Sequence, residues 1–380
     1  MKIIADENIP CVQQAFASLG EVSLLPGRGM QAEQVRNADI LLVRSVTRVD
    51  SSLLDGSSVR FVGSATIGFD HVDRDYLQQQ DIGFATAPGS NAISAAEYVV
   101  SALMALSAQQ GFELAGKTVG IIGCGNVGSR VREKLLALGM RCLVNDPPLL
   151  ASGGHDDFVS LEEVLQADIV TVHVPLTRNG RHPTFHLVNA SFLGRLKPGA
   201  ILINTSRGAV ADNRALDALL ATRDDLSVVL DVWEVEPAIS TSLLQKVDLG
   251  TPHIAGYSYD GKLRGTEMIY RAACDYFARP VSWRAGDALK RVASIDLRSR
   301  DVGNVLAAAR VVVLDAYDVR QDDARLRATL SLPVAERSIA FDRLRKDYPV
   351  RREFTESTVL LDEPAGELAG VLSGLGFKLE

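Results

Sequence analysis

What is scarce in this 380-residue chain excludes several kinds of protein before any motif is read. Its four cysteines, Cys11, Cys124, Cys142 and Cys274, are scattered with no C-x-x-C spacing. That argues against a disulfide framework or a zinc site, and the four are expected as reduced, mostly buried thiols. There is no extended basic run, and 40 Lys and Arg against 47 Asp and Glu leave a net charge of -7. Nucleic acid is therefore not an expected partner, and an anionic substrate needs arginines placed locally. No uninterrupted apolar run approaches the ~18 residues of a membrane span. Residues 1–10 carry Asp6 and Glu7 where a signal peptide has an apolar core. The expectation is a soluble, cytoplasmic chain with no membrane partner. Internal repeats and low-complexity tracts are lacking as well, and the length suits about two to three domains.

What is present is an α/β rhythm. Short apolar runs at residues 2–5, 22–25, 40–43, 60–63 and 83–85 alternate with helical stretches, the pattern of a parallel sheet with crossover helices. A long helix over residues 91–110, capped by Ser90 or Asn91 and ended by Gly111, leads into a second such series. The fold expected is α/β: two doubly wound parallel-sheet domains, Rossmann- or flavodoxin-like, plus a smaller α+β C-terminal domain. The expected boundaries are 1–93 with 257–284 for a substrate-binding lid domain, 94–256 for a dinucleotide-binding domain, and 285–380 for the C-terminal domain.

The second series opens on a dinucleotide fingerprint. Residues 118–122 form an apolar strand entering G-C-G-N-V-G, a helical pattern follows, and the next strand, residues 141–145, delivers Asp146. Gly123 permits the tight turn, Gly125 lets the backbone approach a pyrophosphate, and Gly128 lets helix and strand pack closely. Asn126 and Val127 begin the helix, whose unpaired N–H groups favour the phosphates without a lysine. The Asp146 carboxylate accepts from a ribose 2′-OH and repels a 2′-phosphate, so the expected cofactor is NAD rather than NADP.

Three later turns carry residues whose types belong together. N-T-S-R-G ends in Arg207 and Gly208, D-V-W-E-V-E-P spans Asp231 to Pro237, and T-P-H-I-A-G holds His253 and Gly256. Each follows a predicted strand, where ligands of doubly wound sheets collect. An arginine grips a carboxylate and polarises the adjacent carbonyl, a histidine exchanges the hydroxyl proton, and a glutamate supports the imidazolium. Oxidation of a 2-hydroxy acid needs that set. No metal-ligand set is recognised. His71 and His173 are read as structural, satisfied by backbone near strand ends, and Glu97 as structural on the long helix. The stretch R-N-G-R-H-P-T-F-H, with His182 and His186, is read as a surface loop.

The three motifs, in order beside a complete NAD fingerprint, resemble the D-isomer-specific 2-hydroxyacid dehydrogenases over roughly residues 1–280. The resemblance implies a catalytic triad of Arg207, Glu236 and His253. It also implies cofactor contacts from Val174, Thr205, Ser206 and Arg207, and from Asp231 at the nicotinamide carboxamide; Gly256 is taken with them. A closer likeness is to members of that family that oxidise a phosphorylated hydroxy acid. It runs through D-E-N-I-P, V-R-S-V-T, G-S-A-T-I-G-F-D-H-V-D, A-P-G-S-N-A, H-I-A-G-Y and a C-terminal Y-D-V-R-x-D-D. It implies substrate contacts from Ser45, Thr66 and Tyr257, and the adjacent Arg44 is a candidate for the phosphate.

Two other functions remain open: a 3-phosphoglycerate dehydrogenase of serine synthesis, and an NAD-sensing binding protein of the same fold. In the C-terminal part, Val305, Leu306, Val311, Val312, Val313 and Leu314, with Val359, Leu360 and Leu361, give more apolar surface than a small unit needs to expose. They are expected to build a homodimer interface, from which Arg343 or Arg351 reaches the substrate cleft of the other subunit.

Overall fold

Successive residues of the central strands point to opposite faces, and in this chain both faces are apolar. In a computed structural model, which describes residues 1–153, 157–288, 294–298, 300, 302–362 and 366–380, the chain divides into two units. Met1–Ala92 with Ser258–Arg291 form the first, and Ile93–Tyr257 with Val292–Glu380 form the second.

The first unit holds β1 (Lys2–Asp6), β2 (Glu21–Leu25), β3 (Ile40–Val43), β4 (Phe61–Ser64) and β5 (Gly83–Ala85), in the order β2-β1-β3-β4-β5. All its pairings are parallel. Ile40 and Leu42 enter one core, with Ile269, Tyr270 and Ala273 of the helix Tyr259–Tyr276. Leu41 and Val43 enter another on the opposite face. A sheet buried on two sides reads as a continuous apolar run, which is why I-L-L-V lacks alternation.

The second unit repeats the plan with β6 (Thr118–Ile122), β7 (Arg141–Asn145), β8 (Ile169–Val172), β9 (Ile201–Asn204), β10 (Ser227–Leu230) and β11 (Leu249–Gly250). The order is β11-β10-β9-β8-β6-β7, again all parallel. Chain direction across the sheet reverses at β6 and β8, which makes their carboxyl ends the expected ligand crevice. The helix Ala92–Gln110 is long and apolar enough, by composition, to cross a membrane, which the sequence reading had not anticipated. Burial explains its composition: 83% of its most apolar window lies inside the protein.

The C-terminal segment, expected as a domain of its own, falls in the same compact unit as residues 93–257. Its strands β12 (Ile295–Asp296), β13 (Thr358–Leu360) and β14 (Lys378–Leu379) form a small parallel sheet in that order. Val312, Val313, Phe354, Val359, Leu372 and Leu375 share one core with Val99, Leu103, Val131 and Leu135 of the dinucleotide domain. The nine residues expected at a dimer surface are thus largely used within the subunit, and none of them is exposed. Among the described residues of this segment, the exposed large apolar side chains are Val334, Ile339 and Val350.

A buried ionic cluster fastens the segment. Glu97 accepts from Phe354 N at 2.8 Å and lies 3.9 Å from Lys134 Nζ and 3.8 Å from Arg351. Lys134 also donates to the Leu375 carbonyl, and Arg351 donates to the carbonyls of Ser94 at 2.7 Å and Ala255 at 3.1 Å. Burial pushes the Glu97 carboxyl up, against the pull of Lys134 and Arg351. Glu97 is structural here, and it joins the long helix to the chain's last hundred residues.

Candidate active site

The glycine loop sits where β6 and β8 part. Gly123 has φ 88°, and a Cβ there would stand 2.6 Å from the His173 carbonyl, so no other residue fits without displacement. A Cβ on Gly128 would stand 1.9 Å from the Gly123 carbonyl, which fixes the close approach of helix Asn126–Ala137 to its strand. Gly125 differs: nothing lies within 4 Å of a Cβ built on it. The protein makes no use of that space, and a pyrophosphate at the helix N-terminus fits it. Val127 packs partly into the core, and Asn126 is the first helical residue.

Asp146 follows β7 and caps the helix Pro147–Ala151, with Oδ1 accepting from Leu149 N at 3.0 Å. Its Oδ2 accepts from Cys124 N at 2.8 Å, so the carboxylate is held against the glycine loop. Each oxygen keeps a lone pair for ribose hydroxyls. The residues present therefore fit NAD. Val174 flanks the loop, its Cγ1 standing 2.8 Å from a Cβ built on Gly123.

The three catalytic turns follow three neighbouring strands. Asn204 pairs in register with Leu230, and Leu230 with Gly250, so the turns after β9, β10 and β11 emerge side by side. A Cβ on Gly208 would meet the Trp233 carbonyl at 1.8 Å, so the turn carrying Arg207 abuts the turn carrying Glu236. Asn204 shapes the first turn: its Oδ1 accepts from Ser206 N at 3.0 Å and Ser206 Oγ at 2.8 Å, and its Nδ2 donates to the Arg207 carbonyl at 3.2 Å. Arg207 in turn donates to the Ser206 carbonyl.

Glu236 Oε2 meets His253 Nδ1 at 2.7 Å, and Glu236 Oε1 accepts from Trp233 N at 2.8 Å. Burial opposes ionisation of Glu236, yet His253, the Trp233 N–H and Arg345 together hold its carboxyl below the ordinary range. A carboxylate on Nδ1 leaves Nε2 of His253 as the proton acceptor.

His253 itself has φ 57°, a conformation that non-glycine residues adopt only when something holds it. Asp231 holds it. Buried at 1% exposure, its Oδ1 accepts from Ile254 N at 2.7 Å and Thr251 Oγ1 at 2.6 Å, and its Oδ2 from Ala255 N at 2.9 Å. Trp233 Nε1 donates to the Thr251 carbonyl, and Tyr98 OH pairs with Thr251 Oγ1. Asp231 thus organises the histidine turn. Gly256 and Tyr257 close that turn, with Tyr257 N donating to the Ile254 carbonyl at 2.8 Å.

The remaining substrate candidates lie in the first unit. Arg44 and the exposed Ser45 follow β3, and Thr66 follows β4. Arg44 Nε is bound to the buried Asp6 at 2.9 Å, and Thr66 Oγ1 pairs with Ser64 Oγ at 2.8 Å. His71 and His173 are satisfied by hydroxyls where backbone was expected. Ser64 Oγ meets His71 Nε2, while Thr171 and Thr205 hydroxyls face the two nitrogens of His173 at 2.8 and 3.3 Å. Thr205 is thereby fixed beneath the glycine loop's neighbour. His186, at the end of the basic loop, has Nε2 at 2.6 Å from Glu234 and Nδ1 at 3.9 Å from Asp212. Both its nitrogens face carboxylates, which clamps the loop end to the second catalytic turn.

Burial pushes the His173 pKa down to about 3 from an ordinary 6.5. Below pH ~6.5 the unfolded ring takes up a proton that the folded ring refuses, so this residue's contribution to stability is present above that pH and falls with acidification. The variant His173→Gln should therefore show a shallower loss of urea midpoint between pH ~6.5 and ~4. An unchanged slope would contradict a neutral, buried ring.

Of Arg343 and Arg351, nominated from sequence to reach a second subunit's cleft, Arg351 is engaged within its own subunit. Arg343 is exposed, and Arg351 is 6% exposed within the ionic cluster, stacked 3.5 Å over the Tyr317 ring. The residue missed is Arg345, whose guanidinium lies 5.7 Å from the Tyr257 ring centre. No local motif signals it. Trp233 and Thr251 were also missed as supports, although both stand inside the quoted motifs.

A glycine loop at the strand-order switch, an acid for the ribose, and Arg207, Glu236 and His253 on three adjoining turns define a nicotinamide-dependent 2-hydroxy-acid oxidoreductase. Comparison with known proteins agrees. The family described as D-isomer specific 2-hydroxyacid dehydrogenase, NAD binding domain, matches residues 86–255, and a domain of unknown function matches residues 291–376. The chain is 48% identical to the erythronate-4-phosphate dehydrogenase of Proteus mirabilis and 50% identical to that of Salinibacter ruber, each across 100% of this chain and 99% of the relative. Among solved structures it resembles the NAD-bound 3-phosphoglycerate dehydrogenase of Entamoeba histolytica, with a TM-score of 0.63 at 24% identity over 75% of this chain and 98% of that one. That likeness concerns the fold. The chain belongs to the erythronate-4-phosphate dehydrogenases, within the D-isomer-specific 2-hydroxyacid dehydrogenase family, and it is an NAD-dependent oxidoreductase.

Proposed function

We propose that this enzyme oxidises 4-phospho-D-erythronate at C2 to (R)-3-hydroxy-2-oxo-4-phosphooxybutanoate, a step of pyridoxal 5′-phosphate synthesis. The observation that carries the chemistry is the 2.7 Å contact between Glu236 and His253 Nδ1, on a turn fixed by Asp231. The substrate follows from relatives 46–50% identical over the whole chain.

Arg207 holds the C1 carboxylate and polarises the C2 oxygen. His253 Nε2 accepts the C2 hydroxyl proton, and Glu236 stabilises the imidazolium that results. NAD, when bound at the glycine loop, supplies the acceptor for the C2 hydride. Ser45, Thr66 and Tyr257 contact substrate in this reading. The enzyme works as a homodimer, a reading supported by Val334, Ile339 and Val350, which are 77%, 61% and 77% exposed on the C-terminal segment. A monomer mass in light scattering would refute the dimer.

The test is NADH formation by purified protein offered 4-phospho-D-erythronate and 3-phosphoglycerate separately. Preference for the four-carbon substrate by at least ~10-fold in kcat/KM is expected. Preference for 3-phosphoglycerate would assign the serine-synthesis reaction instead. NAD binding without turnover of either would favour a sensing protein.

A further inference from the structure

We propose that Arg345, on the C-terminal helix Val334–Lys346, binds the substrate's phosphate and sets the preference for phosphorylated hydroxy acids. This rests on the function just proposed and extends it to a residue that no motif marks.

Placement is the first argument. Tyr257 ends the turn that carries His253, and the Arg345 guanidinium carbon lies 5.7 Å from the Tyr257 ring centre. Arg345 also acts electrostatically on Glu236, the partner of His253. A cation from the far end of the chain therefore stands beside the catalytic pair.

Reach is the second. In an extended 4-phospho-2-hydroxy acid the phosphorus lies roughly 5 Å from C2, from ordinary bond lengths. With C2 at His253 and the carboxylate on Arg207, the phosphate needs a cation near the histidine turn, just beyond that reach. Arg345, beside Tyr257 at the end of that turn, is such a cation within the same unit. Arg44 carries its own counter-charge, since its Nε is tied to the buried Asp6 carboxylate at 2.9 Å.

The third argument is unfinished bonding. The Nε of Arg345 is buried and has no hydrogen-bond partner among the described residues. Arg351 Nε is likewise buried without a hydrogen-bond partner among the described residues, but other nitrogens of the segment's arginines are committed. Arg351 donates to two carbonyls, Arg327 pairs with Asp323 and donates to the Leu244 and Val247 carbonyls, and Arg337 donates to the Leu330 and Leu332 carbonyls. A planar guanidinium with an unpaired buried N–H matches a phosphate, which offers several acceptor oxygens at once. Burial opposes charge on Arg345, but Tyr257 and Glu236 outweigh it and the group stays cationic. The guanidinium is also hydrogen-bonded to the Tyr257 side chain, and the competing role is to position Tyr257 alone.

The two roles separate in one experiment on the full-length enzyme. Wild type and Arg345→Ala are assayed with 4-phospho-D-erythronate and with unphosphorylated D-erythronate, while NADH affinity is read from cofactor fluorescence. We expect kcat/KM for the phosphorylated substrate to fall at least ~100-fold and that for D-erythronate to fall no more than ~10-fold, the loss of positive charge beside Glu236 being common to both substrates, while NADH binding holds. Equal losses on both substrates, or no loss on the phosphorylated one, would overturn the proposal. Binding of inorganic phosphate to the NADH-loaded enzyme gives a second readout that does not depend on turnover of D-erythronate. Its affinity should weaken at least ~10-fold in the variant, and an unchanged affinity would also overturn the assignment. Arg345→Gln, which keeps stem and donor without the charge, replaces the alanine variant if that one does not fold. Wild-type enzyme inactive on 4-phospho-D-erythronate would instead reject the proposed function, a result distinct from either failure above.

Discussion

Replacing His253 by alanine is expected to lower kcat by roughly 10³-fold or more while leaving NADH affinity within a factor of ~3. The size reflects loss of the one side chain placed to accept the hydroxyl proton. The selectivity follows from how the turn is built. The strained backbone at residue 253 is held by the Asp231 carboxylate, which accepts from the N–H groups of Ile254 and Ala255, and by the His253 N–H on the Asp231 carbonyl at 2.7 Å. The imidazole holds none of those bonds, so its removal leaves the turn in place. Glycine loop and Asp146 lie on other strands and are untouched. Steady-state kinetics with fluorescence titration of NADH decides the matter, and turnover within tenfold of wild type would remove His253 from the chemistry.

Arg351→Met should cost about 3–5 kcal/mol of stability, read as a lower urea midpoint at unchanged slope. The substitution keeps much of the side-chain volume but removes a charge that lies 3.8 Å from the fully buried Glu97. It also strips donors from the carbonyls of Ser94 and Ala255, leaving two buried acceptors short of a partner. Because Ala255 belongs to the histidine turn, activity should fall as well, at temperatures where the variant is still folded. A loss below ~1 kcal/mol would mean that the cluster contributes little to holding the C-terminal segment.

The legible parts of this protein are those whose chemistry needs given residue types at short separation. Gly123, Gly125 and Gly128 could be assigned separate tasks from spacing alone, and the coordinates distinguish two that are sterically required from one whose Cβ position is open. The motifs around Arg207, Glu236 and His253 could be joined because strand, turn and polar residue recur together. Less legible were partners supplied from a distance. His71 and His173 were expected to find backbone, but the hydroxyls of Ser64 and Thr171, near the ends of the preceding strands, reach them first. The three donors of the histidine turn that engage the Asp231 carboxylate were likewise not legible in the motif.

The C-terminal segment marks the limit most clearly. Val312, Val313 and Val359 announce an apolar face, but periodicity cannot say what covers it, and a dimer partner or the chain's own dinucleotide domain satisfies the pattern equally. Here the covering surface is the chain itself. The same ambiguity separated Arg343, Arg345 and Arg351, which look alike in sequence and which the fold sends to solvent, to Tyr257 and to Glu97 respectively.

By itself, then, the sequence determined the glycine loop, the acid that follows β7, the three polar turns at the ends of neighbouring strands and the parallel α/β plan, because each rests on local spacing and strand periodicity. Only the tertiary structure decided which buried charges meet and which arginine stands beside the catalytic pair. Those contacts join residues far apart in the chain, such as Glu97 with Arg351 and Tyr257 with Arg345, and burial, charge pairing and side-chain reach select among them only once the chain has packed.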